Sequence, residues 1–203
     1  MINIALDLSL NSSGICIEHE GNYQWLLVVA APKPDKMCRK LSELNDVTVI
    51  TYERTGDNLK DGMRVGRIIV ESIKELQRIW KENDLTVVKE DYAYSAQWNT
   101  LVQLVEHSSM VVYSIETVLN STVHKIAPKH IKKAFTNNGN ANKSDMHCTF
   151  CRENIKGPFH NFCKQWNKEQ KHVNDLIDAY ALLKTIEKED ELTSKTTTQT
   201  KTN

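Results

Sequence analysis

Residues 2–30 read as three apolar strands in close succession, and that opening limits what the chain can fold into. Segments 2–8 (INIALDL), 14–18 and 24–30 each hold an apolar run too short for a helix. Asn11, Ser12, Ser13 and Gly14 form a turn, and Gly21-Asn22 is a hairpin signal. Three leading antiparallel strands need further strands and covering helices to bury both faces. The rest of the chain supplies them. Residues 31–43 form a polar connection holding two prolines, and 47–52 (VTVITY) is another strand. The pattern then turns helical over about 57–83, where Val65, Ile68, Ile69, Ile73, Leu76 and Ile79 recur mostly at three and four.

A strand at 85–90 ends in Glu90, and residues 91–98 form an aromatic loop. Residues 99–120 form a helix that is apolar on more than one side. Leu101, Leu104, Val105, Val112, Ile115 and Leu119 make one stripe, and Val102, Met110, Val111, Tyr113 and Val118 widen it. Such a helix is either central in the core or shared with a second subunit. A short strand at 123–126 precedes a helix opened by Pro128 and running to about 135, where proline at the first turn is well tolerated. Ser144 caps the next helix, and 172–187 is the last amphipathic one. The expectation is one α/β domain over residues 1–187. The charged, then Thr/Lys-rich residues 188–203 cannot bury apolar surface and are expected to be disordered.

The apolar fraction of 40% over 203 residues supports a core of that size. No apolar run reaches the ~20 residues that span a bilayer, and the N-terminus lacks a basic leader. Five cysteines, odd in number and without a repeating framework, fit reduced thiols. A cytoplasmic protein is the expectation. Formal net charge is zero, but residues 122–172 hold ten Lys/Arg against Asp145, Glu153 and Glu169, a local charge of +7. A basic stretch of this kind is either a solvated surface or a polyanion-binding face.

Four acids stand in apolar surroundings. Asp7 lies between Leu6 and Leu8 in the first strand, and alternation puts it on the face of Ala5. Glu90 closes the strand TVVKE, with Asp91 pointing to the other face. Asp175 and Asp178, three apart, share one side of the last helix. Buried carboxylates repel one another unless a cation neutralises them, so the set points to a divalent metal. Hard oxygen ligands suit Mg²⁺, and two such ions can drive phosphodiester hydrolysis.

These residues resemble the RuvC-like Holliday junction resolvases of the RNase H-like nuclease superfamily. IALDLSLNSSGICI is similar to that family's first hairpin, and TVVKEDYAYS to its apolar strand ending in Glu before an aromatic loop. IAPKHIKKAFTNNGNANKSDM resembles its helix, flexible loop and lysine, and NDLIDAYALL its closing helix. The motifs fall in order across residues 2 to 183. Leu8 stands where many relatives have Pro, and the stretch from Cys148 to Lys171 lacks a clear family pattern. A compact chain with a polar tail is compatible with phage-type members.

The resemblance implies an RNase H-like mixed five-stranded sheet flanked by helices. It implies Asp7, Glu90, Asp175 and Asp178 as ligands of two Mg²⁺, for which Mn²⁺ can substitute, and Lys143 as a phosphate-contacting or catalysis-assisting residue. The implied enzyme is a homodimer that nicks opposed strands of a four-way junction, leaving 5′-phosphate and 3′-hydroxyl ends. Helix 99–120 is the candidate interface.

Lys129, Lys132, Lys133 and Lys143 are candidate phosphate contacts. Tyr92, Tyr94 and Trp98 are candidates for stacking on unpaired bases, with core packing the alternative for at least one of them. His172 is either a helper at the acidic site or a surface residue. Cys148-x-x-Cys151 and His160-x-x-Cys163 imitate a zinc module, but the first pair falls in a helix, where no knuckle turn forms. Two rival readings stay open. One is a nuclease of the same fold for flaps or RNA–DNA hybrids, and the other is a junction-binding protein that does not cleave. A phosphotransfer enzyme is disfavoured by the lack of a glycine-rich phosphate loop.

Overall fold

The opening meander forms as the hairpin signal requires. In the computed structural model, which describes residues 1–92, 97–166 and 170–199 with side chains to 188, β1 (Ile2–Asp7), β2 (Ser12–His19) and β3 (Asn22–Ala30) pair antiparallel. β4 (Val47–Tyr52) joins β3 in parallel, β5 (Leu85–Glu90) joins β1, and β6 (Val123–Ile126) joins β5. The sheet order is β4-β3-β2-β1-β5-β6. The resemblance implied a mixed sheet of five strands; the sheet is mixed and has six, the short 123–126 segment read as a strand included. The sixth, β6, holds only four residues and pairs along its length with β5 on the sheet edge.

Strand alternation divides the core in two. One face carries Ile4, Leu6, Ile15, Ile17, Leu26 and Val87 and is covered by α2 (Asn58–Trp80) and α3 (Trp98–Leu119). The other carries Ala5, Cys16, Trp25, Leu27 and Val88. It is covered by α1 (Lys36–Ser42), α4 (Pro128–Thr136), α5 (Lys143–Arg152), α6 (Pro158–Gln165) and α7 (Lys171–Gln199). Helices α2 and α3 meet closely at Gly62, where a Cβ would lie 2.3 Å from the His107 carbonyl oxygen. No described helix is long and apolar enough to cross a membrane.

Three local expectations are corrected. The polar connection 31–43 contains α1, because Asp35 accepts from the Cys38 amide at 2.7 Å and Met37, Cys38 and Leu41 are buried. The cap of α5 is Asn142, not Ser144: Asn142 and Asp145 form a reciprocal capping box, which leaves Ser144 inside the first turn. Helix α6 was not foreseen. It opens on Pro158 and buries Phe159, His160 and Cys163, a set too short to show a period. The backbone of α7 is helical to Gln199.

An aromatic cluster fixes the helical layer over the second face. Trp25 of β3 lies 4.6 Å from Phe159 of α6, and Phe150 of α5 lies 5.1 Å from Tyr180 of α7, centroid to centroid. The Tyr180 hydroxyl donates to Glu153 at 3.1 Å, so the one polar atom of this ring is satisfied. Phe150 therefore sets where α5 begins relative to α7. Phe150→Ala is expected to cost about 3–5 kcal/mol in urea unfolding, as for other buried Phe truncations; a loss below about 1 kcal/mol would contradict this role.

Candidate functional site

Register places two of the four acids side by side. Asp7 pairs with Gly14 across β1–β2, and Leu6 pairs with Lys89 across β1–β5. The next positions, Asp7 and Glu90, therefore share the face of Ala5 and Val88, under α7. The backbone of α7 reaches the sheet at Gly14. A Cβ there would lie 2.2 Å from the Asp175 carbonyl oxygen and 2.8 Å from the Leu176 nitrogen, so only glycine admits this approach. Asp175 and Asp178 are consequently held above Asp7. Lys143, the first residue of α5, ion-pairs with Asp178.

The charges act on one another. The Asp7 carboxyl is pushed well above its ordinary range by burial first, then by Asp178, Glu90 and Asp175, with Lys143 opposing. Glu90 is raised by burial and by Asp178, against Lys143 and Lys132. Asp175 is raised by burial, against a hydrogen bond from Ser12. Burial lowers the Lys143 ammonium, but Asp178, Asp7 and Asp175 outweigh it and raise the group. Glu90, Lys132, Lys143 and Asp178 also share the wall of a cavity of about 220 Å³ with Pro128, Ile131 and Met146.

All four acids are thus within electrostatic reach, with Lys143 as the nearest counter-charge. No three of their oxygens gather within 4.8 Å; among the described residues only Asp35, Cys38 and His172 bring three donors that close. Like charges with one shared lysine stay apart. Carboxylate oxygens on rigid strands and one helix turn are the donor chemistry that Mg²⁺ or Mn²⁺ takes, and a cation would relieve the repulsion that raises these acids.

Two contributors escaped the sequence. Ser12, read as a turn residue, is the first residue of β2, and its hydroxyl donates to Asp175 Oδ2 at 2.5 Å. Asp35, in what read as a connection, lies 3.2 Å from His172 Nε2, while His172 Nδ1 lies 3.1 Å from Ser12 Oγ. His172 is thus built into the periphery of the acidic site. Its spacing three before Asp175 was the only signal.

Of the basic candidates besides Lys143, Lys132 lines the cavity wall with Glu90 and Asp178. Lys129 is exposed beside Gly139, and Lys133 donates to the Asn137 carbonyl at 2.9 Å. Tyr92 lies under the Lys89 ammonium, 4.2 Å from ring centre to nitrogen. Tyr94 lies outside the described residues. Trp98 is 74% exposed at the start of α3 and takes no part in the core. His160 Nε2 is 3.1 Å from the Phe150 carbonyl oxygen, and Cys148 is exposed, so the Cys148, Cys151, His160, Cys163 set does not converge.

No family profile and no curated protein sequence matches the chain. Thermus thermophilus RuvC in complex with a Holliday junction substrate is similar to it with a TM-score of 0.51 at 14% identity, covering 91% of this chain and 92% of that one. The Thermus thermophilus RuvC structure gives 0.48 at 14% identity with the same coverage. The yeast mitochondrial Holliday junction resolvase, Ydc2, gives 0.49 at 11% identity, covering 90% and 77%. The likeness at 0.51 spans nearly the whole chain, and the fold is RuvC-like.

A raised carboxyl binds its proton more tightly folded than unfolded, so its charged form opposes folding above the folded pKa. Asp7→Asn is therefore expected to raise the melting temperature in EDTA at about pH 8, by about 2–4 °C for each kcal/mol relieved. The gain should fade as the pH falls toward 3.8, the ordinary Asp value. A lower melting temperature for the variant at pH 8 would contradict the repulsion described.

Proposed function

We propose that this chain is a divalent-metal-dependent, structure-selective endodeoxyribonuclease that resolves Holliday junctions and related branched DNA by paired nicks. The observation that carries the proposal is that Asp7 and Glu90 on one sheet face lie within charge range of Asp175 and Asp178 on the helix above, beside a lysine, within a RuvC-like fold. The junction seen with Thermus thermophilus RuvC makes branched DNA the first substrate to try.

In this reading the four acids hold two Mg²⁺ ions. When bound, those ions supply Lewis acidity to the phosphate and make water a competent nucleophile at neutral pH, leaving 5′-phosphate and 3′-hydroxyl ends. The chain's own residues do the positioning. Asp7 and Glu90 sit on adjacent strand ends, which are stiff. Ser12 orients Asp175 by donating to Oδ2. Lys143, paired with Asp178, would be the residue placed to offer its ammonium to a phosphate oxygen at this site. Lys132 adds positive charge at the cavity wall, and Lys129 and Lys133 extend it along α4. Tyr92 and Tyr94, two and four residues after Glu90 in the sequence, are the candidates to meet unpaired bases by stacking. Recognition through phosphate and shape follows from such a surface, with little base readout.

A two-fold dimer would present two equal sites to a nearly two-fold junction. The outer sides of α2 and α3 support it. Leu59, Met63, Val102, Val105, Tyr113 and Val118 are exposed there, and a groove of about 670 Å³ between the helices has Met63, Val70 and Val118 along it, flanked by Arg64, Arg67 and Glu71. Exposed apolar surface of this extent on paired helices suits an isologous contact.

The test is cleavage of a synthetic mobile four-way junction, mapped at nucleotide resolution with and without Mg²⁺. Symmetric paired nicks that require the metal are expected. Asp7→Asn, Glu90→Gln or Asp178→Asn should each slow cleavage about a thousandfold, the worth of several kcal/mol of lost charge stabilisation, with junction binding retained in gel shifts. Undiminished cleavage by any of these variants would overturn the assignment. Bound complexes without nicks would identify a binding protein, and faster cutting of flaps or hybrids would identify another nuclease of this fold.

A further inference from the structure

Asp35, Cys38 and His172 come from two distant parts of the chain, yet one donor atom of each lies within 4.8 Å of the other two. Asp35 caps α1, and Cys38 follows three residues later on the same side of its first turn. His172 reaches them from the first turn of α7. The donors are one oxygen, one sulfur and one nitrogen. That mixture suits Zn²⁺ or a similar borderline ion and is foreign to Mg²⁺. Asp35 Oδ1 is occupied by the Cys38 amide at 2.7 Å, which leaves Oδ2 turned toward the imidazole.

The second observation is the hydrogen-bond order behind the histidine. Ser12 Oγ has one proton, and it is given to Asp175 Oδ2. With that proton on Asp175, the same oxygen is free to accept from His172 Nδ1, 3.1 Å away. Nε2 is then the remaining ring nitrogen, and it faces the Asp35 carboxylate at 3.2 Å. A metal ion between Nε2 and the Asp35 carboxylate would satisfy both groups at that spacing. The Cys38 sulfur, at the edge of the core, lies within 4.8 Å of both groups and adds the third donor that a metal needs. A metal-bound histidine whose other nitrogen donates to a hydroxyl–carboxylate pair is the usual outer arrangement of zinc ligands. Zn²⁺ with a carboxylate, a thiolate and a neutral imidazole is also uncharged overall, which suits a half-buried position.

We infer that Asp35, Cys38 and His172 form a second metal site, selective for Zn²⁺-like ions, with three protein ligands and one open position. It lies next to the acidic cluster and is joined to it through His172, Ser12 and Asp175. An occupied site would hold the imidazole, and through it Ser12 and Asp175, in one orientation.

The test uses the full chain, freed of metal, without DNA, so its outcome is independent of the nuclease proposal. Co²⁺ titration is expected to give a near-ultraviolet thiolate-to-cobalt band that saturates at one ion per chain. Zn²⁺ should remove the band, and a large excess of Mg²⁺ should not. Cys38→Ser is expected to abolish it. Asp35→Asn preserves the helix cap, and should weaken Zn²⁺ binding about tenfold or more while leaving the metal-free melting temperature within about 2 °C. Absence of the band in the parent protein would overturn the inference. So would a band that survives Cys38→Ser, or one lost on Cys148→Ser or Cys151→Ser instead.

Discussion

The backbone of α7 rests against β2 at Gly14, and the geometry of the acidic site follows from that contact. With any side chain at position 14, the Asp175 peptide would collide with the sheet. Because the helix can descend this far, Asp175 and Asp178 come within charge range of Asp7 and Glu90. The rest of the second core serves the same placement. Leu176, Ile177 and Tyr180 are buried, and the ring cluster of Trp25, Phe150, Phe159 and Tyr180 ties α5 and α6 to α7. Lys143, at the head of α5, is thereby delivered to Asp178.

Such a site works against the stability of its own fold. Burial and mutual repulsion raise Asp7, Glu90 and Asp175 together, and one lysine offsets only part of the cost. Sites that store unfavourable charge are where chemistry is commonly found, since a ligand that relieves the charge is bound strongly for that reason. Carboxylates alone select hard cations. The adjacent Asp35, Cys38 and His172 group, with its sulfur and nitrogen, selects softer ones. Through His172 and Ser12 the two sets are one connected network rather than two independent ones.

Much of this arrangement was legible in the sequence, and for a physical reason. Alternation in ALDLS and TVVKE fixes which way Asp7 and Glu90 face, and the three-residue spacing of Asp175 and Asp178 fixes theirs. Periodicity settles direction within an element, and the order of elements settles which ones can meet. What it does not encode is contact between elements through small polar residues. Ser12 looks like any turn serine, and its bond to Asp175 spans 163 positions. Asp35 and His172 are 137 apart, and Asp35 sits after two prolines in a stretch whose short helix shows no period. Helix α6 and the Asn142 cap were missed on similar grounds: one is too short, and the other is decided by which side chain reaches the Asp145 amide.

The most direct test of the central claim is diffraction from crystals soaked in Mn²⁺, read by anomalous scattering at the manganese edge. Two peaks are predicted among the carboxylates of Asp7, Glu90, Asp175 and Asp178, with Lys143 withdrawn from Asp178. Continued pairing of Lys143 with Asp178, and no anomalous density between those four acids at saturating Mn²⁺, would contradict the account.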